Sequence, residues 1–464
     1  MTTSFEQIKK NMVEQDSSTD EINSFERIYT RFLENLNQKT DWKHISSPAK
    51  KSILNYETLN EVKSETISLL LSELAVCRLN GGLGTSMGCV GPKSAIEVKN
   101  GQSFLDLIVE QIHTLNGNYN SNVPLVLMNS FNTDQDTQKI IRKYNGMLPI
   151  YTFQQNKFPR LRKDSLMPLS YQKYGQQSFY PPGHGDFYQS IEKTGILDQL
   201  IQQGKKILFI ANADNLGASV DLKILSFMKE TGTPFIMEVT EKTRADVKGG
   251  TLVKTKNHSL KLLEIAQVPN DYVEEFKSVK KFKIFNTNNI WINLLELKKK
   301  LQNNTLRLDV IINQKNVEHL PIIQLETALG SGINNFEGSL AVKVPRERFI
   351  PIKTTDDLLL VQSNLFIFEN GILKKNPERQ FSGIPLIRLG DSFQSVEEYQ
   401  KRFKTIPDIL ELDLLTVVGD VHFGKNMTLR GNVILVCERG ELVLPDNSLI
   451  ENKVLTGSIR VGEL

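Results

Sequence analysis

The sequence contains few cysteines, and nothing in their spacing would pair them. Its three cysteines are Cys77, Cys89 and Cys437, and no two of them form a C-x-x-C motif. An odd number of widely separated thiols does not make a disulfide framework and is typical of proteins in reducing compartments. We therefore expect a cytoplasmic protein.

Long apolar runs and a dominant charge are also missing. No stretch approaches the roughly 18 apolar residues of a membrane-spanning helix, and Met1–Glu6 is too polar for the start of a signal peptide. The 56 basic and 53 acidic residues give a net charge of only +3, so we expect neither a nucleic acid nor a membrane as partner. With 464 residues, 39% hydrophobic and 23% charged, the chain is predicted to form two or three globular domains.

Glycine, by contrast, is concentrated in residues 79–93. This segment reads L-N-G-G-L-G-T-S-M-G-C-V-G-P-K, follows the apolar residues Leu74–Val76 and contains five glycines before Lys93. Such a loop can present successive backbone N–H groups to an oxyanion, and the lysine adds positive charge. Its glycine spacing differs from the dinucleotide-binding fingerprint, and a P-loop has glycine where Pro92 stands. We predict a phosphate-binding loop of another kind, with a simple tight turn as the alternative.

Three further segments carry candidate functional side chains. In Y-P-P-G-H-G-D, two glycines leave His184 unshielded, which favours a functional histidine. The apolar run 207–211 ends near Asp214, where a carboxylate could hold Mg²⁺ or cap a turn. The amides of residues 285–289 suit sugar hydroxyls, although asparagine-rich turns also occur without function. Lys353 taken alone would be a surface lysine.

Apolar periodicity predicts how the chain is organised. Residues 22–36 have helical spacing, and a helical pattern resumes after Pro48 and continues to about residue 74. Between about 72 and 350, apolar runs alternate with amphipathic stretches, which predicts a mostly parallel α/β sheet with helices on both faces. Ligands of such sheets bind beyond the carboxyl ends of the strands. The predicted strands are Leu74–Leu79, Pro124–Met128, Ile207–Ala211 and Pro234–Val239, and Ser103 is the predicted N-cap of the first helix between them.

Near the C-terminus, apolar residues recur every six positions, first at Leu415, Val421, Met427 and Val433. With glycine, asparagine and aspartate between them, this period is typical of a β-helix, and a β-meander is the alternative. We predict an N-terminal helical segment (1–71), a catalytic domain (72–350) and a C-terminal domain with β-helix coils (351–464).

Taken in order, these motifs closely resemble those of the eukaryotic-type UTP–glucose-1-phosphate uridylyltransferases, also called UDP-glucose pyrophosphorylases. The resemblance extends from about residue 71 to the C-terminus, and its long motifs are LNGGLGTSMGCVGPKS, PLVLMNSFNTD, FPR, YPPGHGD, NADNLGA, EIAQVP, KFKIFNTNNIW and PIKTTDDLLLV. It implies a doubly wound, GT-A-like nucleotidyltransferase sheet and a C-terminal left-handed β-helix. Relatives with this β-helix occur as monomers and as end-to-end homo-oligomers, so the oligomeric state stays open.

The resemblance implies reversible uridylyl transfer from UTP to glucose 1-phosphate, with Mg²⁺ as cofactor. The products are pyrophosphate and UDP-glucose, a precursor of glycogen and other polysaccharides. The implied catalytic residues are Lys93 and Lys353. The implied nucleotide-binding residues are Leu79, Asn80, Gly81, Gly82, Lys93, Met128, Gln155, Gly183, Asp214 and Lys353, with Asp214 also at the metal. The implied sugar-phosphate residues are His184, Asn212, Gly250, Glu264, Asn286 and Asn288. Before F-P-R the family usually has N-Q-S-R-Y, whereas here Q-Q-N-K-F keeps Gln155 in register but blurs which glutamine faces the base.

Three other functions compete with this one. A relative that uses another sugar 1-phosphate, such as an N-acetylhexosamine 1-phosphate, would have an arginine soon after the double glycine, where Thr85 and Ser86 stand. A UDP-sugar-dependent glycosyltransferase would usually have D-x-D, whereas residues 212–214 are Asn-Ala-Asp. A non-catalytic scaffold assembled through the β-helix would have no need of the two lysines of the predicted site.

Overall fold

An eight-stranded sheet organises the chain. The computed structural model describes residues 5–35, 42–49, 52–243, 246, 249–255, 260–381 and 383–457, with only the backbone at Asn35 and Ser86. Within these residues the α-helices are α1 (Phe5–Glu14), α2 (Thr19–Asn35), α3 (Ser64–Ser72), α4 (Phe104–Tyr119), α5 (Asp134–Ile141), α6 (Tyr171–Tyr174), α7 (Phe187–Lys193), α8 (Ile196–Gln202), α9 (Leu222–Thr231), α10 (Val273–Lys277), α11 (Leu294–Gln302), α12 (Thr355–Gln362) and α13 (Val396–Arg402).

The strands are short, as expected for a sheet that alternates with helices. They are β1 (Ile53–Asn55), β2 (Leu74–Leu79), β3 (Glu97–Lys99), β4 (Gln102–Ser103), β5 (Leu125–Asn129), β6 (Ile150–Gln154), β7 (Phe158–Pro159), β8 (Leu161–Arg162), β9 (Phe179–Tyr180), β10 (Ile207–Asn212), β11 (Phe235–Glu241), β12 (Thr251–Lys254), β13 (Leu260–Leu263), β14 (Ile284–Asn293), β15 (Val310–Val317), β16 (Leu320–Thr327), β17 (Leu340–Lys343), β18 (Phe366–Glu369), β19 (Ile372–Lys375), β20 (Leu386–Leu389), β21 (Leu412–Val418), β22 (Val421–His422), β23 (Thr428–Val436), β24 (Leu442–Val443) and β25 (Leu449–Thr456).

The large sheet is mixed, which places the chain in the α/β class. Its strand order is β1-β17-β11-β14-β10-β2-β5-β6. Only β14 runs antiparallel to its neighbours, β10 and β11, and the other pairs in this sheet are parallel. The four strands predicted from the sequence are confirmed as β2, β5, β10 and β11, each within two residues of the predicted bounds.

Strand β2 shows how the sheet is buried on both faces. Successive side chains of a strand point to opposite faces. Leu74 and Val76 accordingly belong to one apolar cluster, together with residues of α4, α9 and the C-terminal strands. Ala75 and Cys77 belong to a second cluster, with residues of α7, α8 and α11. The prediction of helices on both faces is confirmed.

Two local predictions near the start of the chain have different outcomes. Helix α4 begins after Ser103 as predicted, because Asp106 N donates to Ser103 Oγ (3.2 Å) and Ser103 N donates to Asp106 Oδ2 (2.8 Å). The helical pattern expected up to about residue 74 is wrong at Ile53–Asn55, which pair with β17 and extend the large sheet. The open edge of the sheet supplies hydrogen bonds to this segment that the sequence pattern does not reveal.

The C-terminal strands pair in parallel. The order is β20-β21-β23-β25, in which Leu415 pairs with Val433 and Leu435 with Leu455. Helix α13 contacts the glycine-rich loop, since a Cβ at Gly88 (φ 71°) would lie 2.5 Å from Cβ of Ser395. The domain boundaries stay a prediction, although β1 and β17 pair across the first of them. None of the helices in the described ranges is long and apolar enough to span a bilayer.

Candidate active site

A cavity of about 350 Å³ opens at the carboxyl ends of β2 and β10. Many predicted site residues line it: Leu79, Asn80, Gly81, Gly82, Lys93, Met128, Gln155, Gly183, His184, Asn212 and Asp214. They come from the ends of β2, β5, β6 and β10 and from the segment after β9. The sheet therefore brings together motifs that are far apart in the sequence, at the edge where α/β sheets bind ligands.

The glycine-rich loop folds back on itself and returns Lys93 to its own beginning. Gly84 N donates to the Gly91 carbonyl (3.4 Å), and Lys93 N donates to the Gly82 carbonyl (3.1 Å). Lys93 Nζ then reaches across the cavity to Oδ2 of Asp214, at 2.7 Å. The other carboxylate oxygen of Asp214, Oδ1, is buried without a hydrogen-bond partner. A cation and a half-satisfied carboxylate thus face each other in the cavity.

Gln155 packs directly over the double glycine. Its backbone N donates to the Asn129 carbonyl (2.9 Å), which fixes it beside the end of β5. A Cβ at Gly81 would lie 2.1 Å from Nε2 of Gln155, so only glycine allows this approach. The Gln155 Oε1 atom is buried without a hydrogen-bond partner. Since buried polar atoms are nearly always bonded, this oxygen indicates a ligand that donates a hydrogen bond.

The side chain of Asn80 holds the loop in place. Its Nδ2 donates to Oδ1 of Asn129 (2.8 Å) and to Oγ1 of Thr137 (3.0 Å). Its carbonyl accepts a hydrogen bond from Oγ1 of Thr133 (2.9 Å). Asn80 therefore lines the cavity but uses its amide nitrogen to anchor the loop.

His184 is a neutral hydrogen-bond donor at this site. Burial lowers the pKa of its imidazole from 6.5 to about 4, so the ring is uncharged near neutral pH. Its Nδ1 accepts a hydrogen bond from Leu329 N (2.8 Å), which places the proton on Nε2. His184 lines both the first cavity and a second one of about 310 Å³. The imidazole therefore lies on the wall that the two cavities share.

Glu264 lines the second cavity together with Gly249. Burial raises the pKa of its carboxyl from 4.5 to about 7, and the positive charge of Lys353 offsets part of that effect. A Cβ at Gly250 would lie 2.6 Å from Oε1 of Glu264, so this close approach depends on glycine. The second cavity therefore contains a carboxyl group that exchanges a proton near neutral pH.

Four predicted site residues line neither cavity: Gly250, Asn286 and Asn288 are buried, and Lys353 is exposed. Asn288 Nδ2 donates to Oδ1 of Asn212 (2.9 Å), and Oδ1 of Asn288 is buried without a partner. Asn286 N donates to the Gly250 carbonyl (3.0 Å). The residue before Lys353 donates its backbone N–H to the Asp214 carbonyl (3.1 Å), which brings the lysine close to the cavity.

Several residues on the wall of the first cavity were not predicted from the sequence. These include Ser94, Arg160, Lys315, Gln324 and Glu326. Three of them belong to the antiparallel hairpin of β15 and β16. The available signal was a buried polar residue, Gln324, within the apolar sequence I-I-Q-L of β16.

The comparison with known proteins agrees with this geometry over the whole chain. The sequence profile of a family described as UTP–glucose-1-phosphate uridylyltransferase matches residues 22–430. The chain belongs to this family. It is 52% identical over 448 residues to UTP–glucose-1-phosphate uridylyltransferase 2 of Dictyostelium discoideum, which covers 96% of this chain and 89% of that protein. It is 49% identical over 452 residues to the UTP–glucose-1-phosphate uridylyltransferase of Saccharomyces cerevisiae, covering 96% and 90%.

Solved structures of uridylyltransferases share the fold. A structure named UDP-glucose phosphorylase from Trypanosoma brucei has a TM-score of 0.87 at 35% identity, covering 98% of this chain and 99% of that one. A variant of UDP-glucose pyrophosphorylase from Leishmania major, in complex with UDP-glucose, has a TM-score of 0.87 at 30% identity and covers 98% and 100%. The family resemblance identified from the sequence motifs is confirmed.

Proposed function

We propose that this protein transfers a uridylyl group from UTP to glucose 1-phosphate, releasing pyrophosphate and forming UDP-glucose. One observation carries the proposal: the glycine-rich loop, Gln155 and the Lys93–Asp214 pair line one cavity, next to a second polar cavity. The near full-length similarity to proteins named for this activity supports it. The two cavities match the two parts of the product, a nucleotide and a sugar.

The first cavity suits a uracil nucleotide. Uracil carries an N3–H donor next to carbonyl acceptors, and the unpartnered Oε1 of Gln155 needs a donor. Gly82 has nothing within 4 Å of the position of a Cβ, so its backbone is open to a ligand. We infer that Leu79, Gly81, Gly82, Met128 and Gly183 bind the nucleoside around Gln155, and that Lys93 binds its phosphates.

The second cavity suits a sugar phosphate. Amide and carboxyl groups recognise hydroxyls because they both accept and donate hydrogen bonds. Glu264 lines this cavity. Asn288 donates a hydrogen bond to Asn212, and the side-chain oxygen of Asn288 has no hydrogen-bond partner. We infer that His184 donates from Nε2 to a phosphate oxygen at the shared wall. Gly250 and Asn286 support the sugar site.

The residues present fit a Mg²⁺ ion at Asp214. Mg²⁺ prefers carboxylate and phosphate oxygens and keeps several waters, and Oδ1 of Asp214 is buried and unpartnered. The described residues contain no group of three protein ligands for a metal, so nucleotide phosphates and water would complete the coordination. When bound, the ion supplies charge neutralisation to the triphosphate.

The chemistry requires alignment and charge neutralisation, not a protein nucleophile. A phosphate oxygen of glucose 1-phosphate attacks the α-phosphorus of UTP in line, and the bond to the bridging oxygen of the leaving pyrophosphate breaks. Lys93 holds the triphosphate and neutralises charge that develops on it. Lys353 adds positive charge on the Glu264 side, where it already lowers that carboxyl's pKa. This division of roles explains why two lysines flank the reacting groups.

Several finer features belong to the same proposal. We infer that the large sheet is of the GT-A-like nucleotidyltransferase type and that the parallel C-terminal strands form a left-handed β-helix. The partners in the ladder of β21 and β23 lie three six-residue steps apart, as in Leu415 and Val433. A cytoplasmic location stays a prediction, and the oligomeric state stays open; light scattering would measure whether the coils associate end to end.

The activity is tested by pyrophosphate release from UTP. We expect release only when Mg²⁺ and glucose 1-phosphate are both present. N-acetylglucosamine 1-phosphate serves as the matched acceptor, and a reaction without any acceptor as the blank. Equal release in the blank, or faster release with the N-acetylated sugar, would contradict the proposal.

Removal of Lys93 tests the site itself. We expect Lys93→Ala to lower kcat/KM about 10²- to 10³-fold, as loss of one preorganised charge contact does, with little change in thermal midpoint. Lys374→Ala is the matched control, because Lys374 forms a half-exposed ion pair with Glu369 and lines neither cavity. If Lys93→Ala lowers stability and activity together, the lysine is structural.

A further inference from the structure

A further polar cleft lies outside the proposed active site and is separate from both of its cavities. It has a volume of about 340 Å³ and lies between α2, α7 and α11. Four basic side chains and two acidic ones line it: Arg27, Arg31, Lys193, Lys300, Asp20 and Glu192. The proposed uridylyl transfer uses none of these residues. The cleft therefore concentrates positive charge that the reaction does not explain.

The basic side chains of this cleft bind neutral groups. In the described parts of the chain, Arg27 donates to the Gln189 amide oxygen (3.1 Å) and Arg31 to the Leu306 carbonyl (3.5 Å). Lys193 donates to an amide oxygen at 3.4 Å. Charged donors that hold only neutral acceptors keep capacity for an anion, which makes shorter and stronger hydrogen bonds with them.

Like charges also lie close together in the cleft. The pKa of Arg31 is lowered, first by burial and then by the nearby charges of Arg307 and Arg27, with Glu34 and Asp309 offsetting part of the effect. Repulsion among cations in a partly enclosed space raises the local affinity for anions. Lys299, one residue before Lys300 on α11, is different because it pairs with Glu296 on the exposed side of the helix.

We propose that this cleft is a second binding site, for a small molecule that carries phosphate groups. Planar guanidinium groups and lysines are the side chains that proteins use for phosphate. The cleft adjoins the nucleotide site through the chain itself, because Gln155 lines one cavity and Asn156 lines the other. Asn156 is rigidly held, since its N and Nδ2 both donate to Asp186 (2.7 and 2.8 Å).

The test uses tripolyphosphate as the probe and isothermal titration calorimetry on the full chain. We expect saturable binding to Lys93→Ala, in which the nucleotide cavity has lost its phosphate-binding lysine, and at least about tenfold weaker binding when Lys193→Gln/Lys300→Gln is added, because two charge-assisted contacts are lost. Lys299→Gln in the same background is the matched control for charge and should leave binding unchanged. Lys93→Ala is the control for the nucleotide cavity and should retain the site in the cleft.

Each single variant, Lys193→Gln and Lys300→Gln, should weaken binding in this background by a severalfold factor, so the test does not depend on the double variant's folding. Equal affinity with and without the double substitution in the Lys93→Ala background would overturn the proposal. It would also be overturned if Lys93→Ala abolished all binding while the double variant kept it, since the probe would then occupy the nucleotide cavity. Absence of any binding by the wild type has the same consequence.

Discussion

Neighbouring residues of β14 belong to two different polar networks. Asn289 Nδ2 donates to Oε2 of Glu238 (3.0 Å), and Trp291 Nε1 donates to Oε1 of the same carboxylate (2.8 Å). Arg348 completes this set with two hydrogen bonds to Glu238, of 2.6 and 2.8 Å. Asn288, by contrast, donates to Asn212 in the direction of the site and leaves its own Oδ1 unpartnered.

The two networks differ in how completely they are bonded. Burial lowers the pKa of Arg348, but the charge and hydrogen bonds of Glu238, together with the nearby charge of Asp221, raise it overall. A buried, fully paired network of this kind holds a fold together. At the proposed active site, by contrast, Gln155, Asp214 and Asn288 each have a buried side-chain oxygen without a hydrogen-bond partner. Incomplete bonding therefore distinguishes these site residues from the Glu238 network, although unbonded buried atoms also occur elsewhere, as on the guanidinium of Arg78.

The largest effect is expected from breaking the complete network. Glu238→Ala should lower the free energy of unfolding by about 3–5 kcal/mol, because the buried Arg348 loses both carboxylate hydrogen bonds and is left with a 3.5 Å contact to the Asp221 carboxylate. Urea denaturation measures this value. The control is Glu369→Ala, whose ion pair with Lys374 is about half exposed on both sides and should contribute about 1 kcal/mol or less. If both variants lose a similar free energy of unfolding, the buried network stabilises the fold no more than an exposed ion pair does.

Two buried glutamines make the comparison sharper. Gln155 and Gln111 are each 7% exposed, but only Gln111 is bonded at both ends, to Arg78 (3.1 Å) and to a backbone carbonyl (2.9 Å). Gln111→Leu should lower the free energy of unfolding by about 1–3 kcal/mol, since a buried cation loses its acceptor.

Gln155→Leu should leave stability unchanged or slightly higher, because no bonded partner of the amide oxygen is lost. It should instead raise KM for UTP by roughly ten- to a hundredfold, the cost of about 1–3 kcal/mol in lost base contacts. Steady-state kinetics and thermal melting of the two variants, measured side by side, check the prediction. If Gln155→Leu lowers stability and leaves KM for UTP unchanged, Gln155 is a structural side chain and not a ligand-binding one.

The last prediction concerns pH. Burial raises the pKa of Glu264 from 4.5 to about 7, partly offset by Lys353, so the folded protein holds a proton that the unfolded chain has lost in this window. The free energy of unfolding should therefore fall with rising pH between about 4.5 and 7, and this fall should be missing in Glu264→Gln. Outside the window the wild-type and variant curves should run parallel. If the unfolding free energies of the wild type and Glu264→Gln also change in parallel between about pH 4.5 and 7, the pKa of Glu264 is not raised.

The parts of the fold that could be predicted from sequence are those encoded locally. The buried strands appear as apolar runs, and the start of α4 needs only Ser103 and Asp106, three residues apart. The glycine-rich loop and Asp214 could be placed at strand ends for the same reason. Lys93 and Asp214 were each singled out, but their 2.7 Å contact follows from the pairing of β2 with β10.

The parts that escaped prediction depend on long-range pairing. The hairpin of β15 and β16 turns at Glu318, with φ 53°, and has no glycine there to mark it. Gln324 and Glu326 were therefore not connected with the site. On β14, the sequence does not say which asparagine faces Glu238 and which faces Asn212, because that depends on the neighbouring strands.

The contact between Gly88 and Ser395 has a mechanical consequence for the loop that carries Lys93. Because a Cβ at Gly88 would overlap Ser395, the loop tip and the start of α13 are in van der Waals contact. Any inward swing of the tip has to drag α13 with it or open a gap at this point. A bulkier side chain at Gly88 would therefore push the loop tip and the start of α13 apart.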